Sequence, residues 1–97
     1  MKVIEYHPRV PTEVREAVQY YEEISQKLGD DFWNELTQAL EYARQFPEHH
    51  HFDAGGHRRS NLKRFPYHFL FQEKEDRIRI IVVRHNRRDP KFGMRRK

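Results

Sequence analysis

RRSNLKRFPYHFLFQEKEDRIRIIVVRHNRRDP, residues 58–90, contains the residues that decide the fold. Its apolar and aromatic side chains fall into three strand-forming runs separated by turn-forming residues, at 57–63, 66–73 and 77–85. The middle run alternates aromatic with more polar residues, as a strand with one buried face does. The last run is apolar on both faces over 80–83, which predicts a central strand. The stretch therefore predicts three consecutive strands of one sheet.

A short strand and a helix are predicted upstream of this region. Residues 2–7 have the composition of a strand, which the prolines that follow would end. Apolar residues then recur at helical spacing, with Thr12 as the expected N-cap. Gly29 is the expected end of this helix.

A second helix is predicted next, capped by Asp30 or Asp31 and ended by Pro47. Two helices with so short a joint form an antiparallel hairpin. The order is β1-α1-α2-β2-β3-β4, an α+β fold with the helix hairpin packed on a mainly antiparallel sheet. If the hairpin returns the chain to the end of the first strand, the first and last strands become antiparallel neighbours.

Composition limits the classes of protein. The 97 residues suffice for a single domain, 1–97, with a modest core, since 36% of them are hydrophobic and 13% aromatic. There is no cysteine, which excludes disulfides and thiolate metal sites and fits a reducing cytoplasm. No run of about 18 apolar residues is present, so neither a membrane partner nor a secretory leader is expected.

Charge is strongly segregated along the chain. Residues 55–97 carry 14 Lys and Arg against 4 Asp and Glu, a net charge of +10, whereas residues 1–54 carry 5 against 11, a net charge of −6. A basic surface of this size attracts polyanions and acidic proteins. The sequence therefore predicts an anionic partner for the C-terminal half.

Two motifs, together with the element order, resemble a known family. Residues 62–67 read LKRFPY and residues 85–90 read HNRRDP, with an Ile/Val-rich strand between them. This combination is similar to the RelE/ParE superfamily of bacterial toxins, and is typical of its ParE-like, "plasmid stabilization" branch. The resemblance covers nearly the whole chain. It implies a small cytoplasmic growth-inhibiting toxin that a cognate antitoxin protein neutralises, here through an acidic segment.

The superfamily resemblance leaves two targets open. ParE-like members inhibit DNA gyrase without hydrolytic chemistry of their own, and this is the predicted function. RelE-like members cut mRNA in the ribosome and need a proton acceptor, a proton donor and phosphate-binding cations. By that resemblance, the catalytic candidates of a metal-independent nuclease are Lys63, Arg64, His68, His85 and Arg87. The tyrosine that nucleases carry late in the chain falls near Phe92, which cannot move a proton, so activity as an enzyme stays uncertain. A third interpretation is a non-toxic nucleic-acid-binding or adaptor domain that keeps only the fold.

Target- or antitoxin-binding residues are predicted on the basic strands and in the tail. They are Arg58, Arg59, Arg84, Arg87, Arg88, Lys91 and Phe92. The alternative for the arginines is simple solvation of a strand end. His85 is either a general base or a hydrogen-bonding residue that orders the end of the last strand.

Neither a metal nor a cofactor is predicted. His49, His50 and His51 are imidazoles near Asp53, but consecutive residues rarely converge on one ion, so a solvated loop is the better interpretation. The aromatic residues of the helices are assigned to the core, since stacking bases would meet repulsion in this acidic half.

Overall fold

Two helices pack against a four-stranded sheet in the computed structural model, which describes residues 2–53 and 55–97. The elements are β1 (Val3–Tyr6), α1 (Val10–Ile24), α2 (Gln26–Gln45), a single 3-10 turn (Pro47–His49), β2 (Arg58–Asn61), β3 (Tyr67–Glu73) and β4 (Arg77–His85). The predicted α+β class and element order are confirmed. None of the helices in the described part of the chain has the length and apolar character needed to cross a bilayer.

The sheet order is β1-β4-β3-β2, so β4 is central, as its two apolar faces predict. The expected direction of β1 is wrong: β1 and β4 are neighbours but parallel, with Val3 opposite Arg77 and Tyr6 opposite Ile80. The reason lies in α2, whose 20 residues span about 30 Å. It carries the chain back to the start of β1, where Arg44 Nη1 donates to the Lys2 carbonyl at 3.1 Å. From there β2 runs in the same direction as β1. Because β3 is antiparallel to β2 and β4 is antiparallel to β3, β4 also runs in the direction of β1.

The joint between the helices also differs from the prediction. α1 begins at Val10, before Thr12, because Pro11 is tolerated in a first turn whose N–H groups have no acceptor within the helix. Ser25 separates the helices, and its Oγ accepts the Leu28 N–H at 3.0 Å. Ser25, not Asp30 or Asp31, is therefore the N-cap of α2, and Gly29 lies inside that helix.

A β-bulge divides the core between the two faces of the sheet. Leu70 pairs with Val82 and Phe71 with Ile80, so Ile81 is the extra residue. Side chains of a regular strand alternate between the faces, but the extra residue places two consecutive residues, Ile81 and Val82, on the same face, away from the helices. The helix-side cluster has members from both helices and from β3 and β4, among them Phe32, Leu36, Phe69, Phe71, Ile78, Ile80 and Val83.

The opposite face is covered by the C-terminal segment, residues 86–97. Phe92 and Met94 of this segment pack against the buried cluster of Leu70, Ile81 and Val82. Gly93 has φ +82°, and a Cβ there would come within 2.9 Å of Val82. A side chain at this position would therefore push the segment off the sheet. This cover is why β4 is buried on both faces, although helices lie on only one.

Candidate functional site

A hydrogen-bonded group of polar side chains lies beneath the C-terminal segment. At its centre is His68 of β3, which is only 2% exposed. Arg84 Nε donates to His68 Nε2 at 2.9 Å, and His68 Nδ1 lies 2.7 Å from Asn86 Oδ1. Because an arginine nitrogen can only donate, Nε2 carries no proton and Nδ1 donates to Asn86. The shorter contacts, to Arg84 and Asn86, favour the neutral tautomer with the proton on Nδ1, in which Arg59 Nη2, 3.2 Å from Nδ1, is a neighbouring cation and not a donor to the ring.

The surroundings of His68 also disfavour its protonation. Burial lowers the pKa of His68 from its usual 6.5, and the guanidiniums of Arg59 and Arg84 lower it further, while the hydrogen bond to Asn86 opposes them. Both ring nitrogens already have partners, and almost none of the ring is exposed. His68 therefore holds Arg84 and Asn86 in place, and its buried ring does not face the surface at which a partner would bind.

Arg84 connects this group to the C-terminal segment. Its side chain belongs to a residue that is 5% exposed, and Nη1 donates to the carbonyls of Pro90 at 3.0 Å and Phe92 at 2.7 Å. The sequence predicts Arg84 as a residue that binds a partner. The structure places it under the segment instead, where its guanidinium holds the backbone that presents other residues.

Phe92 anchors the same segment to the sheet. Its half-buried ring packs on the apolar cluster of the second sheet face. The Arg88 guanidinium lies 4.0 Å from the ring centroid and that of Arg96 lies 5.0 Å from it. Phe92 is therefore enclosed between the sheet and two cations.

Three predicted residues come together at the surface. Arg87, Arg88 and Lys91 surround an open depression of about 540 Å³, with Asp89 and Phe92 completing it. All three cations are exposed. Asp89 Oδ1 accepts the backbone N–H of Lys91 at 2.9 Å, so this carboxylate shapes the turn. The depression is the most accessible part of the predicted site.

Arg58 and Arg59 have internal partners. Arg58 Nε lies 3.1 Å from Glu73 Oε1, and its Nη1 donates to the His50 carbonyl at 2.9 Å. Arg59 Nη1 lies 3.0 Å from Asp53 Oδ2. Both guanidiniums therefore tie β2 to neighbouring segments.

The five nuclease candidates do not form one bonded group. The backbone N–H groups of Lys63 and Arg64 donate to Glu35 of α2, at 2.6 and 3.1 Å. His85 Nδ1 accepts the Arg87 backbone N–H at 3.0 Å, as the structural alternative for this residue predicts. Within residues 2–53 and 55–97, neither Lys63 nor Arg64 makes a hydrogen bond or ion pair with the other three candidates.

The histidine loop packs as an aromatic group at the end of α2. The Tyr42 hydroxyl lies 2.7 Å from His49 Nδ1, and the His49 ring stacks on Phe46 with centroids 5.0 Å apart. Among the described residues, no three His, Asp or Glu side chains are placed to hold a metal ion together. Ala54 of this loop lies outside the described residues.

A large apolar groove was not predicted from the sequence. It lies between α1 and α2 and has a volume of about 660 Å³, lined among others by Tyr6, Val10, Val14, Val18, Trp33, Leu36 and Leu40. Trp33 is 51% exposed and Tyr6 is 42% exposed. One feature of the sequence could have indicated this groove. Phe32 and Trp33 are consecutive, and consecutive side chains on a helix point about 100° apart, so only one of the two can lie in the core and the other is left on the surface.

No protein-family model and no curated protein matches the sequence. Among solved structures, the fold matches a chain described as "Chromosomal ParDE TA system from P. aeruginosa" with a TM-score of 0.75. The two chains are 15% identical, and the match covers 88% of this chain and 96% of the other. The RelE/ParE-like fold predicted from the two motifs is thereby confirmed.

Proposed function

We propose that this chain is the toxin of a type II toxin–antitoxin pair and that, once released from its antitoxin, it inhibits DNA gyrase in the cytoplasm. The fold shared with a chain of a ParDE toxin–antitoxin system supports the toxin class. One observation favours gyrase over mRNA cleavage: His68 is closed beneath the C-terminal segment, whereas Arg87, Arg88 and Lys91 are exposed around the depression. The surface offers positive charge for docking rather than a complete set of proton carriers.

The antitoxin is proposed to bind at two places. The groove between α1 and α2 is large and apolar, and such surfaces on small domains mark protein interaction sites. An amphipathic helix of the antitoxin fits this groove. An acidic segment of the same antitoxin is proposed to cover the basic C-terminal surface, in keeping with its charge.

An mRNA endonuclease remains the alternative function because of His85. This residue is half-buried at the end of β4, beside Arg87, and its Nε2 has no partner among the residues described. An imidazole beside a cation has the composition needed to accept a proton near a phosphate.

Induced expression with two readouts separates these functions. Arg87→Glu combined with Arg88→Glu should abolish growth inhibition and the inhibition of gyrase supercoiling in vitro. His85→Gln should leave both intact. Arg9→Glu combined with Lys74→Glu is the matched control, since both residues are exposed and lie outside the C-terminal segment. Circular dichroism verifies that each variant is folded.

A nuclease predicts the opposite pattern. Losing a general acid or base typically lowers the rate by about 10²–10⁴, so His85→Gln would then suppress toxicity. Primer extension would also show cuts within translated codons during induction. Such cuts, with normal supercoiling, would overturn the gyrase proposal.

A further inference from the structure

Unpaired cations are concentrated in one segment of the chain. Of the 19 Lys and Arg side chains, 11 are hydrogen bonded or ion paired within the described part of the protein. The other eight, which have no such partner among the described residues, are Arg9, Lys63, Lys74, Arg87, Arg88, Lys91, Arg95 and Lys97. Five of these eight lie within residues 87–97. Within the described part of the chain, no ion pair therefore neutralises these five cations, although Arg96 of the same segment is paired with Glu13.

The same segment is held in place on the sheet. Arg84 bonds two of its carbonyls, and Arg96 Nη1 donates to the Ile81 carbonyl at 3.1 Å. Arg96 Nη2 also lies 2.6 Å from Glu13 Oε2. Because the backbone is fixed, the free cations form a preorganised array, and less conformational entropy is lost when they bind.

The segment lacks the side chains that dominate protein interfaces and single-strand binding. Every large apolar side chain that is exposed in the described part lies at residue 52 or earlier. Phe92 is enclosed by the sheet, Arg88 and Arg96, so its ring offers no stacking platform for an unpaired base. An aromatic anchor, which protein hot spots favour, is also missing. What remains is an array of cations, which matches a phosphate backbone.

We propose that residues 87–97 bind the sugar–phosphate backbone of duplex DNA without reading its sequence. Phosphate contacts from Arg and Lys position a protein on a duplex and carry no sequence information. This inference deepens the proposed function, on which its cellular meaning rests: the toxin would hold the DNA on which gyrase acts. The binding itself needs no gyrase and can be measured alone.

Fluorescence anisotropy with a labelled random-sequence duplex tests the proposal on the full chain. Three phosphate contacts, from Arg87, Arg88 and Lys91, predict a slope of about −2.7 in log affinity against log salt, or roughly 40-fold weaker binding at 200 mM than at 50 mM. Arg87→Ala with Arg88→Ala should reduce the slope by about 1.8. Arg9→Ala with Lys74→Ala removes the same charge elsewhere and should change the slope much less. Equal losses in the two double variants would overturn the assignment to this segment.

Other outcomes are equally decisive. Tighter binding to a single strand than to the duplex would show a different nucleic-acid site and overturn the proposal. The proposal would also be overturned if the protein did not bind DNA but bound purified gyrase in the absence of DNA, because the segment would then contact protein. DNA binding by this segment without inhibition of supercoiling would support the inference and refute the proposed function. The two failures are thus distinguishable.

Discussion

The imidazole of His68 lies between two arginines. Its Nε2 accepts from Arg84, and its Nδ1 lies 3.2 Å from Arg59 Nη2. Protonation would remove the lone pair that Arg84 needs and would place three positive charges side by side. Only neutral His68 therefore keeps Arg84 in position to bond the C-terminal segment.

We expect the free energy of unfolding to fall as the pH is lowered from about 7.5 to about 5. The folded-state pKa values of His68, His57 and His7 are all lowered from 6.5, in each case chiefly by burial. Since the unfolded chain then binds protons first, this stability is present above the unfolded pKa and is lost as the pH falls through the folded pKa. His68→Gln keeps an acceptor for Arg84 and does not titrate, so urea unfolding should show a shallower pH dependence.

The histidine effect can be separated from that of the carboxylates. The pKa values of Glu5, Asp31 and Glu41 are lowered from 4.5, 3.8 and 4.5, each chiefly by a hydrogen bond to a neighbouring cation, so their contribution is lost at lower pH. His51→Gln, at an exposed residue, should follow the wild-type curve. Parallel curves for His68→Gln and wild type would exclude His68 as the cause.

At the scale of the elements, Gly29 sets the distance between α1 and α2. A Cβ at Gly29 would come within 2.3 Å of Glu22 Cγ and within 3.2 Å of the Glu22 backbone. Gly→Ala within a helix normally stabilises by about 1 kcal/mol. Here we expect Gly29→Ala to destabilise by about 1–3 kcal/mol in urea unfolding, because the helices must separate. Asn34→Ala, at an exposed site on α2, is the control and should be neutral or mildly stabilising. A stabilised Gly29→Ala variant would show that the helices repack freely.

Beyond Ile80, where the pairing with β1 ends, side chains satisfy the backbone hydrogen-bonding groups on this edge of β4. Glu13 Oε1 accepts the Val83 N–H at 3.0 Å, while Arg96 Nη1 donates to the Ile81 carbonyl. We expect Glu13→Ala to cost about 2–4 kcal/mol, because it leaves the buried Val83 N–H without an acceptor and Arg96 without its counter-ion. Glu13→Gln should cost less, since it keeps an acceptor, and exposed Glu16→Ala is the control. Hydrogen exchange at Val83 measures the local effect, and unchanged protection in Glu13→Ala would contradict it.

The elements that the sequence predicts correctly are those with a clear period. β4 spans 77–85 as predicted, and most residues of both helical stripes pack in the core, because local spacing determines which face is apolar. Ile24 and Phe46, which share this spacing, are exposed. The direction of β1 depends on contacts between distant segments. The place of Gly29 depends on a local feature that was not recognised, the N-cap at Ser25, which lies four residues before Gly29 and starts α2. Likewise, the sequence identifies Arg84 and Arg87 as equivalent strand-end arginines. Only the fold of residues 86–97 makes one buried and the other exposed.

At the scale of the whole molecule, the sheet separates two surfaces of different chemistry. The apolar groove belongs to the helix hairpin on one face. The cation-rich segment lies over the other face, against Leu70, Ile81 and Val82. A partner that binds both must therefore wrap around the domain, whereas one that binds a single surface leaves the other free.

We expect the two surfaces to contribute differently to binding of the proposed antitoxin, for which the purified product of a gene adjacent to this one is the probe. Trp33→Ala should weaken equilibrium binding by at least about 30-fold at all salt concentrations, since a central aromatic residue of an apolar interface typically contributes 2 kcal/mol or more. Arg87→Glu with Arg88→Glu should instead slow association and flatten its salt dependence, because charge steering is screened as the Debye length falls from about 10 Å at 0.1 M to about 3 Å at 1 M.

Tyr20→Ala, at an exposed aromatic residue outside the groove lining, is the control for Trp33. Surface plasmon resonance over this salt range separates the two effects, and an affinity unchanged by Trp33→Ala would remove the groove from the antitoxin interface.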